Sequence, residues 1–454
     1  MTSLIHSDNP VDPSSHEAGS VPLGRAPAKR EGSLNNTPVL QAKSDARLHS
    51  SDKREAPLVN ITKLCDASRI KASHVRNTNY QLRKIAQEVL GHGHRVYTCQ
   101  KVPSYSVQQG ISQRGISKNE DGKAFFHGLG SCGDVHACPV CSVKISEGRR
   151  QEVVHALRSH SESGYISLFS TFTIRHSRND SLSDNLTAFR NARSDLIRSQ
   201  KFRKIKQAIS MSGYIRRLEV TWGESNGWHP HDHEVWLIDK ESITEMELLS
   251  LKMQVFKLWA YYCQKYGLEA PSFEHGFDLR WKEGDGSDSV GAYLTKWGHE
   301  LTYGHTKEAN GVERYTPFSM LNKLKEEYSP KFAALYEEYA RAFKGRAQLL
   351  WSRGLKDKYG VKELSDEQLS EMPEREHYID LTSDECFRIS FLNRFAVVLD
   401  YSEVSRPEWT RQYVNSLLDE ANKILARNFK RRRSSYISDI KLSNMIDAGI
   451  YEQA

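Results

Sequence analysis

The middle of the chain switches between two spacings of apolar residues. Steps of three and four predict helices at 73–90, 184–210, 243–266 and 289–301. Alternation, or short runs of β-branched and aromatic residues, predicts strands at 165–175, 214–222, 229–238 and 277–281. The sequence Glu-Ser-Asn-Gly at 224–227 predicts a turn that pairs the second and third strands as a hairpin. This order predicts an α+β fold in which helices pack on an antiparallel sheet.

The helix predicted at 243–266 has an apolar stripe that we expect to face the sheet. The stripe consists of Met246, Leu249, Met253, Phe256, Ala260 and Cys263.

Composition divides the chain of 454 residues into four predicted parts. Residues 1–60 are rich in Ser, Pro, Asn and charge and are expected to form a disordered tail. Residues 61–150 form a Cys-rich region, 151–305 the α+β core, and 306–454 a mostly helical C-terminal region.

Charge and cysteine content narrow the class of protein. The net charge is +7, which permits nucleic acid as a partner. The first fifty residues lack the apolar stretch of a signal peptide, and no run approaches the roughly 18–20 apolar residues of a membrane helix. Seven cysteines in 454 residues suit a reducing compartment better than a disulfide framework. We therefore expect a cytoplasmic protein without a membrane partner.

Three histidines alternate along the third predicted strand. His229, His231 and His233 should project from one face of the sheet, because side chains on a strand alternate. Imidazoles spaced in this way can converge on one divalent cation such as Zn, Mn, Fe or Ni, and on Mg when carboxylates assist. Glu219 on the preceding strand is a candidate third ligand if the turn pairs the strands.

Tyr293 and Lys296 lie three residues apart on the last predicted helix of the core, and so on one helical face. A phenol has a reference pKa near 10 and is a weak nucleophile when neutral. A neighbouring ammonium and a metal would favour the phenolate.

The cysteines at 132–141 have the spacing of a zinc site. Cys138 and Cys141 are separated by two residues, Cys132 precedes them, and Cys99 lies upstream as the fourth candidate ligand. His136 is an alternative to Cys99. A redox pair is a second interpretation, but no thioredoxin-like strand precedes the cysteines.

Basic residues and tryptophans offer weaker indications of DNA binding. A solvated face is the ordinary interpretation of each basic run, and core packing that of Trp222, Trp228 and Trp236. One basic run is 430–433, and the other belongs to the helix at 184–210: Arg190, Arg193, Arg198, Lys201, Arg203, Lys204 and Lys206.

Three motifs in order resemble the HUH endonucleases, specifically the rolling-circle replication initiators of plasmids and phages. They are Phe169-Ser-Thr-Phe-Thr-Ile-Arg-His176, His229-Pro-His-Asp-His-Glu-Val235 and Tyr293-Leu-Thr-Lys296. Context typical of the plasmid branch extends to Thr316-Pro-Phe-Ser-Met-Leu321, Lys344-Gly-Arg346 and Trp351-Ser-Arg-Gly-Leu355. The resemblance spans roughly 99–355.

The resemblance implies an HUH endonuclease-like core and a site-specific DNA nicking and rejoining enzyme. Tyr293 would attack an origin phosphate, leaving a 5′-phosphotyrosine and a 3′-hydroxyl that primes synthesis. His231 and His233, with Glu219, would hold Mg or Mn, and Lys296 would steady charge near the phosphate. Single-stranded and origin DNA would be the partners, with host helicase and polymerase and a homodimer as further expectations, in a bacterial host.

Two residues depart from the family pattern. Asp232 replaces a bulky apolar residue between the metal histidines, so either the packing behind the strand is unusual or Asp232 is solvated. Trp297 stands where the two-tyrosine branch has a second tyrosine, so we expect one nucleophile per chain.

Two other functions remain open from the sequence. A related single-strand DNA transposase would share the cysteine cluster. A non-catalytic, zinc-held DNA-binding protein would explain the charge and the cysteines, but not the aligned histidines with Glu219 and Tyr293.

Overall fold

The computed structural model describes residues 67–110, 112–281, 314–370 and 376–447 of the chain, without the side chains of 67–69, 367, 370 and 429–447. Contacts divide the chain into 1–57 and 58–454, and all described residues lie in the second unit. The helix predicted at 289–301 lies outside the described residues.

Helices and strands follow each other in a mixed order. The helices are α1 (Ala67–Leu90), α2 (Tyr105–Gln108), α3 (Pro139–Glu162), α4 (Leu182–Arg198), α5 (Gln200–Ala208), α6 (Glu245–Lys265), α7 (Pro317–Glu326), α8 (Pro330–Phe343), α9 (Leu355–Lys358), α10 (Asp366–Ser370), α11 (Ser383–Phe391), α12 (Phe395–Val404) and α13 (Pro407–Asp447). The strands are β1 (Gly115–Lys118), β2 (Ala124–His127), β3 (Ile166–Thr173), β4 (Met211–Gly223), β5 (Gly227–Ile238), β6 (Phe277–Arg280), β7 (Arg314–Tyr315), β8 (Leu350–Trp351) and β9 (Glu376–Asp380).

The predicted α+β fold is confirmed. The larger antiparallel sheet has the order β6-β3-β5-β4-β7 within the described residues, and β8 also pairs with β4. The expected hairpin joins β4 to β5 over nearly their whole length, with Gly223 opposite Gly227. The C-terminal part of the chain is mostly helical, as predicted.

The larger sheet is covered differently on its two faces. On the back face, α4 and α6 pack over Phe172 and Trp236. On the front face, α3 packs over Val235 and Leu237 at one end of the sheet. The other end of the front face carries the predicted metal ligands Glu219, His231 and His233.

Ser199 divides the predicted helix at 184–210 into α4 and α5. Its hydroxyl donates a hydrogen bond to the carbonyl oxygen of Leu196 and accepts one from the amide of Phe202. Ser199 therefore ends one helix and caps the next, as serine does at helix N-termini.

The apolar stripe predicted for α6 is wrong in its first half, whereas Phe256 and Ala260 are half-buried and Cys263 is buried. Met246, Leu249 and Met253 are exposed, whereas the buried residues are Leu251, Val255, Leu258, Trp259 and Cys263. Apolar residues occur on both sides of this helix, so spacing alone did not select the buried side. The indole of Trp259 packs inward and donates a hydrogen bond to the carbonyl oxygen of Thr173.

A smaller sheet joins distant parts of the chain. Strand β1 pairs with β2 and also with β9, placing Ile116 opposite Ile379. The four cysteines of the Cys-rich region share one buried cluster with Phe318, Tyr336 and Phe395. The boundaries at 60, 150 and 305 stay predictions. None of the described helices is both long and apolar enough to cross a membrane.

Candidate metal centres

The β4–β5 hairpin brings three predicted ligands together. Its register places Glu219 directly opposite His231, and His233 lies two residues further along the same face. One Glu219 oxygen is 4.0 Å from His231 Nε2 and the other is 3.8 Å from His233 Nε2. Ligand atoms of the three residues all lie within 4.8 Å of one another.

This group fits a divalent cation. A metal about 2.0–2.2 Å from each nitrogen or oxygen ligand needs ligand atoms separated by less than about 4.4 Å, and the distances from Glu219 to both histidines satisfy this limit. Glu219 Oε2 is buried and accepts no hydrogen bond from the residues that the structure describes. A buried carboxylate oxygen without a donor is costly unless a cation compensates it. Two imidazoles and one carboxylate suit Mn, and Mg with added oxygen ligands.

Hydrogen bonds and ring stacking orient His231 and His233 so that their Nε2 atoms face Glu219. His231 Nδ1 lies 3.3 Å from the carbonyl oxygen of His229, which can only accept a hydrogen bond. His231 Nδ1 therefore carries the proton, and Nε2 carries the lone pair that can bind a metal. His233 Nδ1 is 3.2 Å from the hydroxyl of Thr171, and Phe169 stacks on the same ring. Such contacts commonly orient metal-binding histidines.

Thr171 and Phe169 have no individual role in the prediction from sequence. The alternation along β3 could have placed both on the face of His233, but only the pairing of β3 with β5 sets the register.

His229 shares the histidine face but lies outside the ligand group. Its Nδ1 is 2.6 Å from Nε2 of His176, whose Nδ1 donates to the carbonyl oxygen of Asn226. Burial, with the nearby His231 and His176, lowers the pKa of His229 to about 2. His229 is therefore neutral at physiological pH.

The back of the histidine strand carries buried charge. Glu234 and Arg193 are both fully buried and form a bidentate ion pair, and Trp236 Nε1 also donates to Glu234. The expectation that Arg193 belongs to a basic surface is therefore wrong: it packs inward because Glu234 points into the back layer. An acidic residue on the covered face of a strand was the signal for such a partner.

Asp232 is fully buried beside Arg216, whose Nε lies 3.4 Å from it. The alternative that Asp232 is solvated is wrong, and the packing behind the strand is unusual, as the other alternative stated. Burial raises the pKa of Asp232 to about 6, opposed by the charge of Arg216.

Four buried cysteines form the second group. Sγ of Cys141 lies 3.6 Å from that of Cys99 and 3.5 Å from that of Cys132, and the Cys99–Cys138 separation is 3.8 Å. Four thiolates at about 2.3 Å around a tetrahedral zinc ion would be about 3.8 Å apart, so the group fits zinc. Hydrogen bonds from Cys132, Cys138 and Cys99 lower the pKa of the Cys141 thiol well below its ordinary value.

The alternative zinc ligand His136 is turned elsewhere. Its Nε2 lies 3.1 Å from the carbonyl oxygen of Arg346. The geometry therefore selects Cys99 as the fourth member of the group.

Other predicted residues fall into three sets. Tyr293, Lys296 and Trp297 lie outside the described residues, and so do the side chains of 430–433. Trp222, Trp228 and Trp236 are buried, as the ordinary interpretation held. The other basic residues of 190–206 remain exposed except Lys206, which is half-buried.

Sequence comparisons identify known proteins that resemble the middle part of this chain. Residues 129–264 match the sequence model of the family described as "Replication protein". The chain is 24% identical over 307 residues to "Protein rep" of Streptomyces lividans, covering 54% of this chain and 67% of that protein. It is 33% identical over 147 residues to the "Neomycin resistance protein" of Streptomyces cyanogenus, covering 27% of this chain and 34% of that protein. No solved structure matches.

The fold and the two ligand groups define an α+β domain with candidate sites for two kinds of metal. The matched segment contains Glu219, His231 and His233. Residues 129–264 are therefore similar to the replication-protein family, and the resemblance of the chain to plasmid rolling-circle replication proteins is confirmed.

Proposed function

We propose that this protein initiates rolling-circle replication by nicking and rejoining single-stranded DNA at an origin. The observation that carries the proposal is the convergence of Glu219, His231 and His233 within a replication-protein domain. A non-catalytic DNA-binding protein would have no use for this cluster. The cluster is also open: its side chains are 10%, 13% and 21% exposed, so a phosphate can reach it.

In the proposed reaction, the phenolate oxygen of Tyr293 attacks the phosphorus atom of the scissile phosphate. The bond from phosphorus to the 3′ oxygen breaks, and that oxygen leaves as a 3′-hydroxyl after taking up a proton. The DNA 5′ end is then held as a phosphotyrosine ester. Because one ester replaces another, attack by a 3′-hydroxyl can rejoin the strand without ATP.

Other residues of the chain act on charge and orientation. Lys296 would offset negative charge on the phosphate. Thr171 and the carbonyl oxygen of His229 hold the rings of His233 and His231 so that both Nε2 atoms face one point. A Mg or Mn ion bound at that point would polarise a phosphoryl oxygen.

A covalent-adduct assay tests the proposal. Labelled single-stranded oligonucleotides tiled over the replicon that encodes the protein are incubated with Mn or Mg, and protein–DNA adducts are separated under denaturing conditions. We expect one oligonucleotide to form an adduct that needs the metal. Tyr293→Phe should abolish it, and Tyr261→Phe, at an exposed tyrosine of α6, should leave it unchanged.

A second pair of variants tests the metal ligands. His231→Ala with His233→Ala should abolish the adduct, whereas His74→Ala, at an exposed histidine of α1, should not. An adduct that survives Tyr293→Phe would assign the nucleophile to another residue. Origin binding by the wild-type protein without any adduct would contradict the nuclease and favour a zinc-held DNA-binding protein.

The partners and location follow from the same proposal. An initiator would act on origin DNA in the cytoplasm of a bacterial host, with host helicase and polymerase acting after the nick. One Tyr293 per chain leaves the second transfer of each replication cycle to water or to a second subunit, which favours a homodimer. The C-terminal region beyond 355 would contribute to origin or helicase binding.

A further inference from the structure

Helix α5 carries a concentration of positive charge that the proposed reaction does not use. Lys201, Arg203, Lys204 and Lys206 lie within its nine residues. The helix reads Gln-Lys-Phe-Arg-Lys-Ile-Lys-Gln-Ala and contains no acidic residue. Lys206 is half-buried, and the other three cations are exposed. These four side chains therefore present a cationic surface to a partner in solution.

No described residue balances the charge of α5 in an ion pair. Every other described helix of nine or more residues contributes at least one residue to an ion pair. Helix α3, for example, pairs Arg149 with Glu152, and α11 pairs Arg388 with Asp384. Among the described residues, no carboxylate pairs in this way with the four cations of α5. The positive charge of α5 is therefore left to solvent or to a partner.

The arrangement of charge opposes the formation of α5. Lys201 and Lys204, and likewise Arg203 and Lys206, are three residues apart and so lie side by side on the helix, where like charges destabilise it. Lys201 also lies in the first turn, where the helix dipole disfavours a cation. The helix forms nevertheless, because Phe202 is fully buried in the back layer. An anionic partner would turn these unfavourable charges into favourable contacts.

The apolar side of α5 is covered by the protein itself. Phe202 packs on Trp236 at 6.0 Å between ring centroids, and Ile205 and Ile209 also pack against the back layer. A basic helix that binds a membrane inserts its apolar side into the lipid. That side is not accessible in α5, so its cations suit an anionic partner that is bound by charge alone.

The aromatic content of this segment distinguishes between two forms of DNA. Single strands are held by cations together with aromatic rings on which unpaired bases stack. The only aromatic residue between 198 and 209 is Phe202, which is buried. Duplex DNA keeps its bases stacked inside and presents its phosphates outward, so cations without a stacking ring suit a duplex.

Helix α5 and the open metal group lie on opposite faces of the same strand. Trp236, on which Phe202 packs, comes three residues after His233 on β5, or about 10 Å along the strand. Glu219, His231 and His233 face the front of the sheet, whereas α5 packs on the back. The duplex beside a nicked strand can therefore contact α5 while the strand itself reaches the front face.

We propose that α5 binds the phosphate backbone of duplex DNA next to the nicking site. The contact is independent of base sequence, because it uses phosphates alone. It holds the double-stranded side of the origin while one strand enters the open metal group. The inference deepens the proposed nuclease function and rests on it for the identity of the DNA.

Binding to a duplex without origin sequence tests this surface. The full-length protein is titrated with a labelled duplex of arbitrary sequence, without divalent metal, at salt concentrations between roughly 50 and 200 mM. The α5 variant carries Lys201→Gln, Arg203→Gln, Lys204→Gln and Lys206→Gln. It should lose at least about tenfold in affinity. The slope of log affinity against log salt should fall by about two to four, because each lost phosphate contact removes about 0.9.

A matched variant controls for net charge. It replaces four exposed lysines elsewhere on the surface, none of which forms an ion pair with the described residues: Lys84→Gln, Lys123→Gln, Lys325→Gln and Lys362→Gln. This variant has the net charge of the α5 variant and should keep the wild-type salt slope. Equal losses of slope in both variants would show that total charge is the cause and would overturn the proposal.

A smaller variant and a stability measurement keep the test decisive. Lys201→Gln with Lys204→Gln leaves two cations on α5 and should lose about half as much slope as the α5 variant. Thermal unfolding should show both variants at least as stable as the wild type, because like-charge pairs are removed. A wild-type slope in both folded variants would overturn the proposal.

A single strand of the same length distinguishes the two forms of DNA. On a labelled thymidine oligonucleotide, the α5 variant should lose less affinity than on the duplex, because α5 has no exposed ring for unpaired bases. A loss as large as the loss on the duplex would assign α5 to single-stranded DNA and overturn the proposal.

The adduct assay separates this proposal from the nuclease proposal. Adduct formation by the wild-type protein, with an α5 variant that binds the duplex like the wild type, would overturn the role of α5 alone. Loss of duplex binding in the α5 variant, without any adduct from the wild-type protein, would support the role of α5 and overturn the nuclease.

Discussion

The two ligand groups differ in access and in ligand chemistry. Cys99, Cys132, Cys138 and Cys141 are at most 5% exposed and offer four sulfur atoms, enough to complete a tetrahedral zinc shell. Glu219, His231 and His233 are half-buried and supply three ligands, which leaves positions for water or a phosphate. We therefore expect the cysteine group to stabilise the fold and the open group to meet a substrate.

Helix α3 supports both regions. It begins at the cysteine group, where Cys138 precedes it and Cys141 lies in its first turn, and its later residues pack on the front of the larger sheet. The comparison therefore predicts that changes at the cysteines act mainly on stability, whereas changes at the histidines act mainly on metal and DNA.

The largest expected effect is loss of the cysteine group. Cys138→Ser should remove bound zinc and destabilise the protein severely, since a structural zinc site contributes roughly 10 kcal/mol to folding. Zinc content by mass spectrometry and thermal unfolding measure both effects. Cys263→Ala, at a buried thiol outside the group, is the control and should keep its zinc. Full zinc content in Cys138→Ser would contradict the assignment.

A smaller loss of stability is expected when the buried ion pair behind β5 is broken. Arg193→Met leaves Glu234 buried without its partner and should cost about 3–5 kcal/mol. The double variant Arg193→Met with Glu234→Leu should recover part of this loss, because apolar residues can replace a buried ion pair but Trp236 Nε1 then loses its acceptor. Urea unfolding of both variants measures the free energies. Equal losses in the single and double variants would show that the charge pair is not the cause.

Contacts that orient the ligands of the Glu219, His231 and His233 group should raise its affinity for metal. Thr171→Val removes the hydroxyl that holds His233 Nδ1 and should weaken Mn binding about 10- to 100-fold, with stability nearly unchanged. Calorimetric titration with Mn measures the affinity. Thr187→Val, whose hydroxyl donates to the carbonyl oxygen of Ser183, should bind Mn like the wild type. Unchanged affinity in Thr171→Val would remove this residue from the site.

The smallest expected effect is a dependence of the unfolding free energy on pH, which we assign to a histidine near the C-terminal end of α3. His160 Nε2 donates to the carbonyl oxygen of Ile166, and Nδ1 accepts from the hydroxyl of Tyr359. Burial lowers the pKa of His160 below its ordinary value, so the unfolded chain takes up this proton first. Neutral His160 contributes fully to the free energy of unfolding above pH 6.5. This contribution is lost as the pH falls, by about 1.4 kcal/mol for each unit by which the pKa differs between the folded and unfolded chain.

His160→Asn should flatten this loss in unfolding experiments between pH 7 and pH 5. His74→Asn, at an exposed histidine, should keep the wild-type slope. A slope that His160→Asn leaves unchanged would assign the titration to another group.

Short-range patterns in the sequence predicted much of this arrangement. Alternation and a turn at 224–227 were enough to place His231, His233 and Glu219 on one hairpin face. Cysteine spacing predicted the second group, and only the choice between Cys99 and His136 needed the structure. These features depend on neighbours along the chain or on one tight turn.

Contacts between distant segments could not be predicted in the same way. The pairing of β1 with β9 joins Ile116 to Ile379, and no local pattern indicates it. The helical pattern around Arg193 predicts a surface residue, because its partner Glu234 lies on another element. The buried side of α6 depends on the sheet beneath it, since both sides of the helix are apolar.

A count of bound metals tests the contrast between the two groups most directly. The wild-type protein and the variant His231→Ala with His233→Ala are dialysed against a mild chelator and assayed for zinc, then titrated with Mn. We predict one zinc ion per chain in both proteins, and one Mn ion in the wild type alone. Loss of zinc in the histidine variant, or unchanged Mn binding by it, would contradict the division into a closed zinc group and an open metal centre.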